Sequence, residues 1–280
     1  MDDREDLSFQ QKLWIFGRNC IRGGKPFLLY LLMPSLCVTI GYSLFHRDIP
    51  AGEFFAYGGN FYTALGMILA IMVLRRGSKE KGHKFFEDAT LYPENIDKKK
   101  TACFAVFGVT SAITISAALT LLPRWGVVDA YSEASQTMYK GYDILFTVIT
   151  TVITSPLLEE IVFRGYMLNT FLEAYGEKFA ILFVSAVFAV CHGELLWMPY
   201  AFGMGLVLAW VSVKEDNILY SIVLHVGFNA PSAISWLIRS FPAASVLLYG
   251  SKWLVLGYGL IGGMTSALLV RYYFNDCRKK

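Results

Sequence analysis

Three short stretches set ionisable or amide side chains among apolar neighbours. They are Ser155-Pro156-Leu157-Leu158-Glu159-Glu160-Ile161-Val162-Phe163-Arg164-Gly165, Phe188-Ala189-Val190-Cys191-His192 and His225-Val226-Gly227-Phe228-Asn229. An ionisable group in such a setting costs about 2.5–3.5 kcal/mol on insertion scales, so it marks function by default. A carboxylate beside an imidazole activates a water as general base, or both ligate a metal. A second imidazole and a carboxamide donate hydrogen bonds to a developing oxyanion. Amide hydrolysis uses all of these parts. Ser155 lies near Glu159, but no G-x-S-x-G elbow surrounds it, and H-E-x-x-H is absent, which disfavours a serine mechanism and an ordinary zincin.

Spacing assigns partners. Glu160 and Arg164 are four apart, the separation of an intrahelical ion pair with the acid N-terminal. Glu159 is turned about 100° from Glu160 by the helical period and is free to face another helix. His225 and Asn229, also four apart, share one helix face. A helix starting near Asn217 puts His225 about 12 Å in from that end. A turn near Tyr175-Gly176 sets Glu159 and His192 at equal sequence distance from it, about 25 Å away along unbroken α-helices. Phe188 is expected to pack and shape the site.

The elements that must hold these residues are membrane helices. The chain has 55% hydrophobic and only 17% charged residues over 280 positions, whereas soluble domains carry about a quarter charged. Apolar blocks fall at about 26–45, 54–74, 101–122, 142–158 with an extension, 179–193, 197–213, 218–238 and 253–274. Each approaches the roughly 20 residues that cross about 30 Å of hydrocarbon. None alternates with period two, so they are helices rather than barrel strands. The expected fold is all-α and polytopic, with about eight transmembrane helices. Residues 1–25 are read as a cytoplasmic N-terminal segment, 26–274 as one transmembrane domain and 275–280 as a cytoplasmic tail. Gly203, Gly205, Gly257, Gly259, Gly262 and Gly263 are expected to let helices approach closely.

Basic residues orient the bundle. With both termini cytoplasmic, inside segments hold 20 Lys and Arg against 5 outside. The basic loop 75–100 then reads as solvated and cytoplasmic. No cleavable signal peptide is expected, the first helix serving for insertion. The net charge of +3 says nothing of nucleic acid, and none is expected as a partner. Five scattered cysteines without C-x-x-C spacing imply neither a disulfide framework nor a zinc knuckle. Cys191, next to His192, reads as packing rather than as a nucleophile. The terminal Cys277-Arg278-Lys279-Lys280 has basic residues where a prenylation box has aliphatic ones.

Glu-Glu-x-x-x-Arg at 159–164, Phe-x-x-x-His at 188–192 and His-x-x-x-Asn at 225–229, in this order on separate helices, resemble the CPBP intramembrane protease family. That family takes in CAAX-prenyl endoproteases and bacteriocin-processing or immunity proteins of the Abi group. The resemblance covers roughly residues 140–235 and does not extend to the first hundred. It implies an eight-helix endopeptidase of a prokaryotic cell membrane, its site open to the cytoplasm and the lipid. Glu159 and His192 would then activate the water, and His225 and Asn229 would stabilise the oxyanion. Glu160 and Arg164 would support the site or hold the substrate's terminal carboxylate. A metal-independent glutamate mechanism and a zinc site on Glu159, His192 and His225 are both compatible with these residue types. The implied partners are membrane lipid and a peptide or lipidated-protein substrate, either C-terminal and prenylated or a leader peptide.

Two other classes fit a buried polar cluster. One is a non-enzymatic scaffold or immunity factor of the same fold, in which the cluster is structural. The other is an ion- or proton-coupled transporter using Glu159, Glu160, His192 and His225. No internal duplication is visible in the sequence, which lowers the transporter reading.

Overall fold

The computed structural model describes residues 8–54, 58–123, 126, 128–129, 133, 144–193, 195–239 and 250–277. Parts of the expected segments (1–7, 55–57, 142–143 and 278–280) lie outside the described residues. Every long element is a helix, and no strand occurs among the described residues. In chain order these are α1 (Phe9–Phe45), α2 (Asn60–Glu80), α3 (Lys98–Leu121), α4 (Ile144–Tyr175), α5 (Glu177–Val190), α6 (Trp197–Glu215), α7 (Ile218–Arg239) and α8 (Lys252–Cys277). Each expected apolar block thus overlaps one helix, although 54–74 begins before α2 and 179–193 runs past the end of α5. Six of them, all but α5 and α6, are long and apolar enough to cross a membrane. The 14 residues of α5 reach only about 21 Å.

Helix α1 starts earlier than its apolar block, so the 25/26 boundary lies inside a single helix. Ser8 caps it in a reciprocal box with Gln11, which satisfies otherwise orphaned N-terminal donors. Its first half docks through Phe16 onto Phe171, Tyr175, Phe179 and Phe183, where α4 turns into α5. Gly176 makes that turn at φ 78°, a left-handed conformation free of strain only for glycine. Phe16 is 14 residues from Tyr30, so this aromatic knot stands about 21 Å along α1 from the level of Tyr30.

The 75–100 segment is not simply solvated. Ala89 and Leu91 are buried. The backbone of Thr90 and Tyr92 is tied to α7 by Ile218 N–H donating to the Thr90 carbonyl and by a two-way bond between Tyr92 and Asn217. Lys100 pairs with Glu215 at 2.6 Å, and the Tyr273 hydroxyl donates to the same carboxylate, joining α3, α6 and α8.

The α3–α7 contact holds the helix that carries His225 and Asn229. A Cβ at Gly108 would stand 2.2 Å from the Leu224 carbonyl oxygen, and one at Gly227 would stand 2.6 Å from that of Ala105. Both obstacles are backbone, so neither can rotate aside. Gly108→Ala is expected to lower stability by about 1–3 kcal/mol and to impair the site, whereas Gly203→Ala, with nothing within 4 Å, leaves both unchanged. Thermal unfolding of the two variants in detergent checks this. Among the glycines expected at close approaches, Gly205, Gly259 and Gly262 make them. Gly263 is in ordinary contact, and Gly203 and Gly257 face open space, because a helical glycine is a contact only when its face is turned to a neighbour.

Candidate active site

Helix α4 carries both carboxylates and is not a regular α-helix. Residues 149–154 and 160–168 are π-helical, with hydrogen bonds reaching five residues back. Such turns often accompany function, and here the sequence supplies a cause. Ser155 N–H bonds to the Thr150 carbonyl. In that register the Thr151 carbonyl would meet the nitrogen of Pro156, which carries no hydrogen. Asn229 Nδ2 donates to that carbonyl instead, at 2.9 Å from α7. One of the two Asn229 N–H groups is thereby fixed, and the amide is held against the helix of Glu159.

Glu160 is fully buried. Its Oε1 accepts from Arg164 Nη1 at 2.8 Å and lies 2.8 Å from His225 Nδ1. The i, i+4 ion pair read from spacing is present. Arg164, 1% exposed, also donates to the Gly205 carbonyl at 3.4 Å, and its guanidinium lies 4.2 Å from the Phe188 ring centroid. Glu159, one position earlier and 8% exposed, looks elsewhere. Its Oε1 accepts from Ser155 Oγ and, at 3.3 Å, from the Tyr30 hydroxyl of α1. Its Oε2 lies 3.8 Å from His225 Nε2, beyond hydrogen-bond reach. His225 therefore stands between the two carboxylates, bonded to one and facing the other.

Phe188, expected to pack and shape the site, lies among the site's rings. Its ring meets Phe163, His192 and His225 edge-on. His192 lies past the end of α5, in the turn that follows Val190, and its Nδ1 is 2.9 Å from the Phe188 carbonyl. A carbonyl only accepts, so Nδ1 holds the proton and a neutral ring keeps its Nε2 lone pair. The contacts of His192 run to Phe188. The equal-height count for Glu159 and His192 rested on unbroken α-helices, and neither helix meets that condition. Cys191, exposed beside His192, lies within electrostatic reach of Glu159 and Tyr30.

The structure thus brings together Glu159, Glu160, Arg164 and His225, places Asn229 against α4 and hangs His192 from Phe188. Motif reading missed Tyr30. Nothing in the spacing of α1 singles it out, and its only sign is a phenol among leucines. Among the described residues no three His, Cys, Asp or Glu groups, Glu159, His192 and His225 included, are arranged to hold a metal. No step below passes through a metal.

Residues 141–231 match the family described as Rce1-like, type II CAAX prenyl endopeptidase. The resemblance to the CPBP proteases read from the three motifs holds over that segment. An "Uncharacterized 24.3 kDa protein" of Escherichia coli is 32% identical over 88 residues, 30% of this chain. The chain spans 41% of that curated relative's length. No solved structure matches.

Proposed function

From a chain that carries an Rce1-like endopeptidase segment at residues 141–231, we propose an intramembrane endopeptidase that cuts a peptide bond with a water activated by Glu159. The supporting observation is the division of labour between adjacent carboxylates. Glu160 is committed to Arg164 and His225, whereas Glu159 is held only by the hydroxyls of Tyr30 and Ser155. Its Oε2 lies 3.8 Å from His225 Nε2, beyond hydrogen-bond reach, and is free to take a proton from a water, as a general base needs to be.

Glu159 takes one proton from water, while the His192 Nε2 lone pair accepts a hydrogen bond from the O–H that remains. The hydroxide adds to the substrate carbonyl carbon. His225 Nε2, as the imidazolium held by Glu160, and the remaining Asn229 N–H donate to the oxyanion. The C–N bond then breaks, and Glu159 passes its proton to the departing amine, giving a carboxylate and an amine as products. Arg164 and Phe188 position Glu160 and His225 and do not touch substrate.

The substrate is a peptide held at the membrane, either a prenylated C-terminus or a leader segment. The orientation follows the basic residues, with both termini and the site's opening on the cytoplasmic side of a prokaryotic membrane. His225 is eight residues from Asn217, about 12 Å along α7 from that end. The test is purified protein in proteoliposomes, incubated with prenylated C-terminal, unprenylated C-terminal and leader peptides. Cleavage of at least one class is expected. Failure to cut any, from protein that elutes as a folded species, removes the enzyme reading and leaves the scaffold.

A further inference from the structure

A cleft of about 790 Å³ opens between the first half of α1, the end of α2 and the last turns of α4. Arg18, Arg22 and Lys25 line it from α1, spaced four and three residues apart on one helix face, and Lys81 faces them from just beyond α2. Its three carboxylates already have partners. Glu173 pairs with Arg22 at 3.0 Å, Asp88 with His83 at 3.1 Å and Glu87 with Lys84 at 2.9 Å. Arg18 lies over the Trp14 ring at 5.0 Å. Lys25 and Lys81 have no carboxylate partner among the described residues, so the cleft keeps positive charge in excess.

Ser78, Thr90, Tyr166, Asn169 and Thr170 line the cavity towards α4, and one wall is apolar. Pro26, Leu29, Val73 and Leu74 form its wall on the side nearer Tyr30. Ile21 and Val73, both exposed, line its outer edge. Positive charge therefore sits where the apolar block of α1 begins, beside the apolar wall that α1 and α2 form. This is the boundary at which a bilayer exchanges hydrocarbon for headgroups. A free anion would use the lysines and leave the apolar wall uncovered. A diacyl phosphate uses both.

We propose that this cleft binds the phosphate headgroup of an anionic phospholipid, with Lys25 and Lys81 on the phosphate and an acyl chain along Leu29 and Val73. The site is separate from the proposed catalytic residues, and its test does not depend on cleavage. Full-length protein in phosphatidylcholine nanodiscs is titrated with phosphatidylglycerol, and bound lipid is counted by native mass spectrometry. Each lysine removed is expected to weaken binding roughly fivefold, so Lys25→Gln/Lys81→Gln loses about 25-fold. Lys98→Gln/Lys99→Gln, the same charge change outside the cleft, changes affinity less than twofold. Millimolar inorganic phosphate does not displace the lipid. Equal loss in both double variants, no loss in the first, or displacement by phosphate overturns the assignment. Unfolding temperatures of both variants, expected to match wild type, separate lost binding from lost folding.

Discussion

Glu159→Gln is expected to lower peptide cleavage by roughly 100- to 10,000-fold while the protein keeps its fold. Gln has nearly the same shape, and its amide oxygen still accepts from Ser155 and Tyr30, the two groups that hold Glu159. What is lost is the capacity to take a proton from water. One buried negative charge also disappears beside Glu160, so the unfolding temperature should hold or rise slightly. The kinetic signature is a fall in kcat with KM little changed, because the substituted group acts on the transition state. Cleavage rates and melting curves measured on one preparation decide the matter. A variant that cuts at the wild-type rate shows that Glu159 is not the base.

Arg164→Met has the larger structural effect. Arg164 is 1% exposed and Glu160 fully buried, so the variant leaves a carboxylate in the bundle without its guanidinium. Removing one member of a buried pair costs about 3–5 kcal/mol. The stacking on Phe188 and the bond to the Gly205 carbonyl are lost as well. The fraction eluting as a folded species from detergent is expected to collapse. The double variant Glu160→Gln/Arg164→Met should recover much of that stability, since no uncompensated charge remains. It should not recover activity, because His225 has lost the carboxylate that holds its Nδ1. If Arg164→Met unfolds at the wild-type temperature, the pair does not hold the site together.

These two residues were also the easiest to read from sequence. An acid four residues before a base in an apolar stretch has one inexpensive solution, and α4 adopts it. The shared face of His225 and Asn229 follows the same rule, and both reach α4 as that rule requires. The turn at Gly176 was legible because a charged, glycine-bearing break separates two apolar runs.

The rest was hidden for identifiable reasons. The π register of α4 leaves no mark in a helix buried on most sides, since residues that are apolar all round carry no phase. Pro156 is visible in the sequence, but only the structure shows which carbonyl loses its donor to it. The end of α5 was overrun because Val190 and Leu195 are apolar and exposed, so hydropathy continues where the helix stops. Tyr30 joins the site across 129 residues, a pairing no local pattern encodes. The burial of Ala89 and Leu91 in a lysine-rich loop was masked by the charges around them.

The most direct measurement is the fate of water oxygen during cleavage. Wild-type protein in proteoliposomes is given a peptide that it cuts, in H2(18)O containing hydroxylamine, and the new C-terminus is weighed. Attack by a water activated at Glu159 puts a single heavy oxygen into the new carboxylate and yields no hydroxamate, and Glu159→Gln yields neither product. A hydroxamate in the wild-type reaction would reveal an acyl-enzyme on a side chain such as Ser155, and would contradict direct hydrolysis by Glu159.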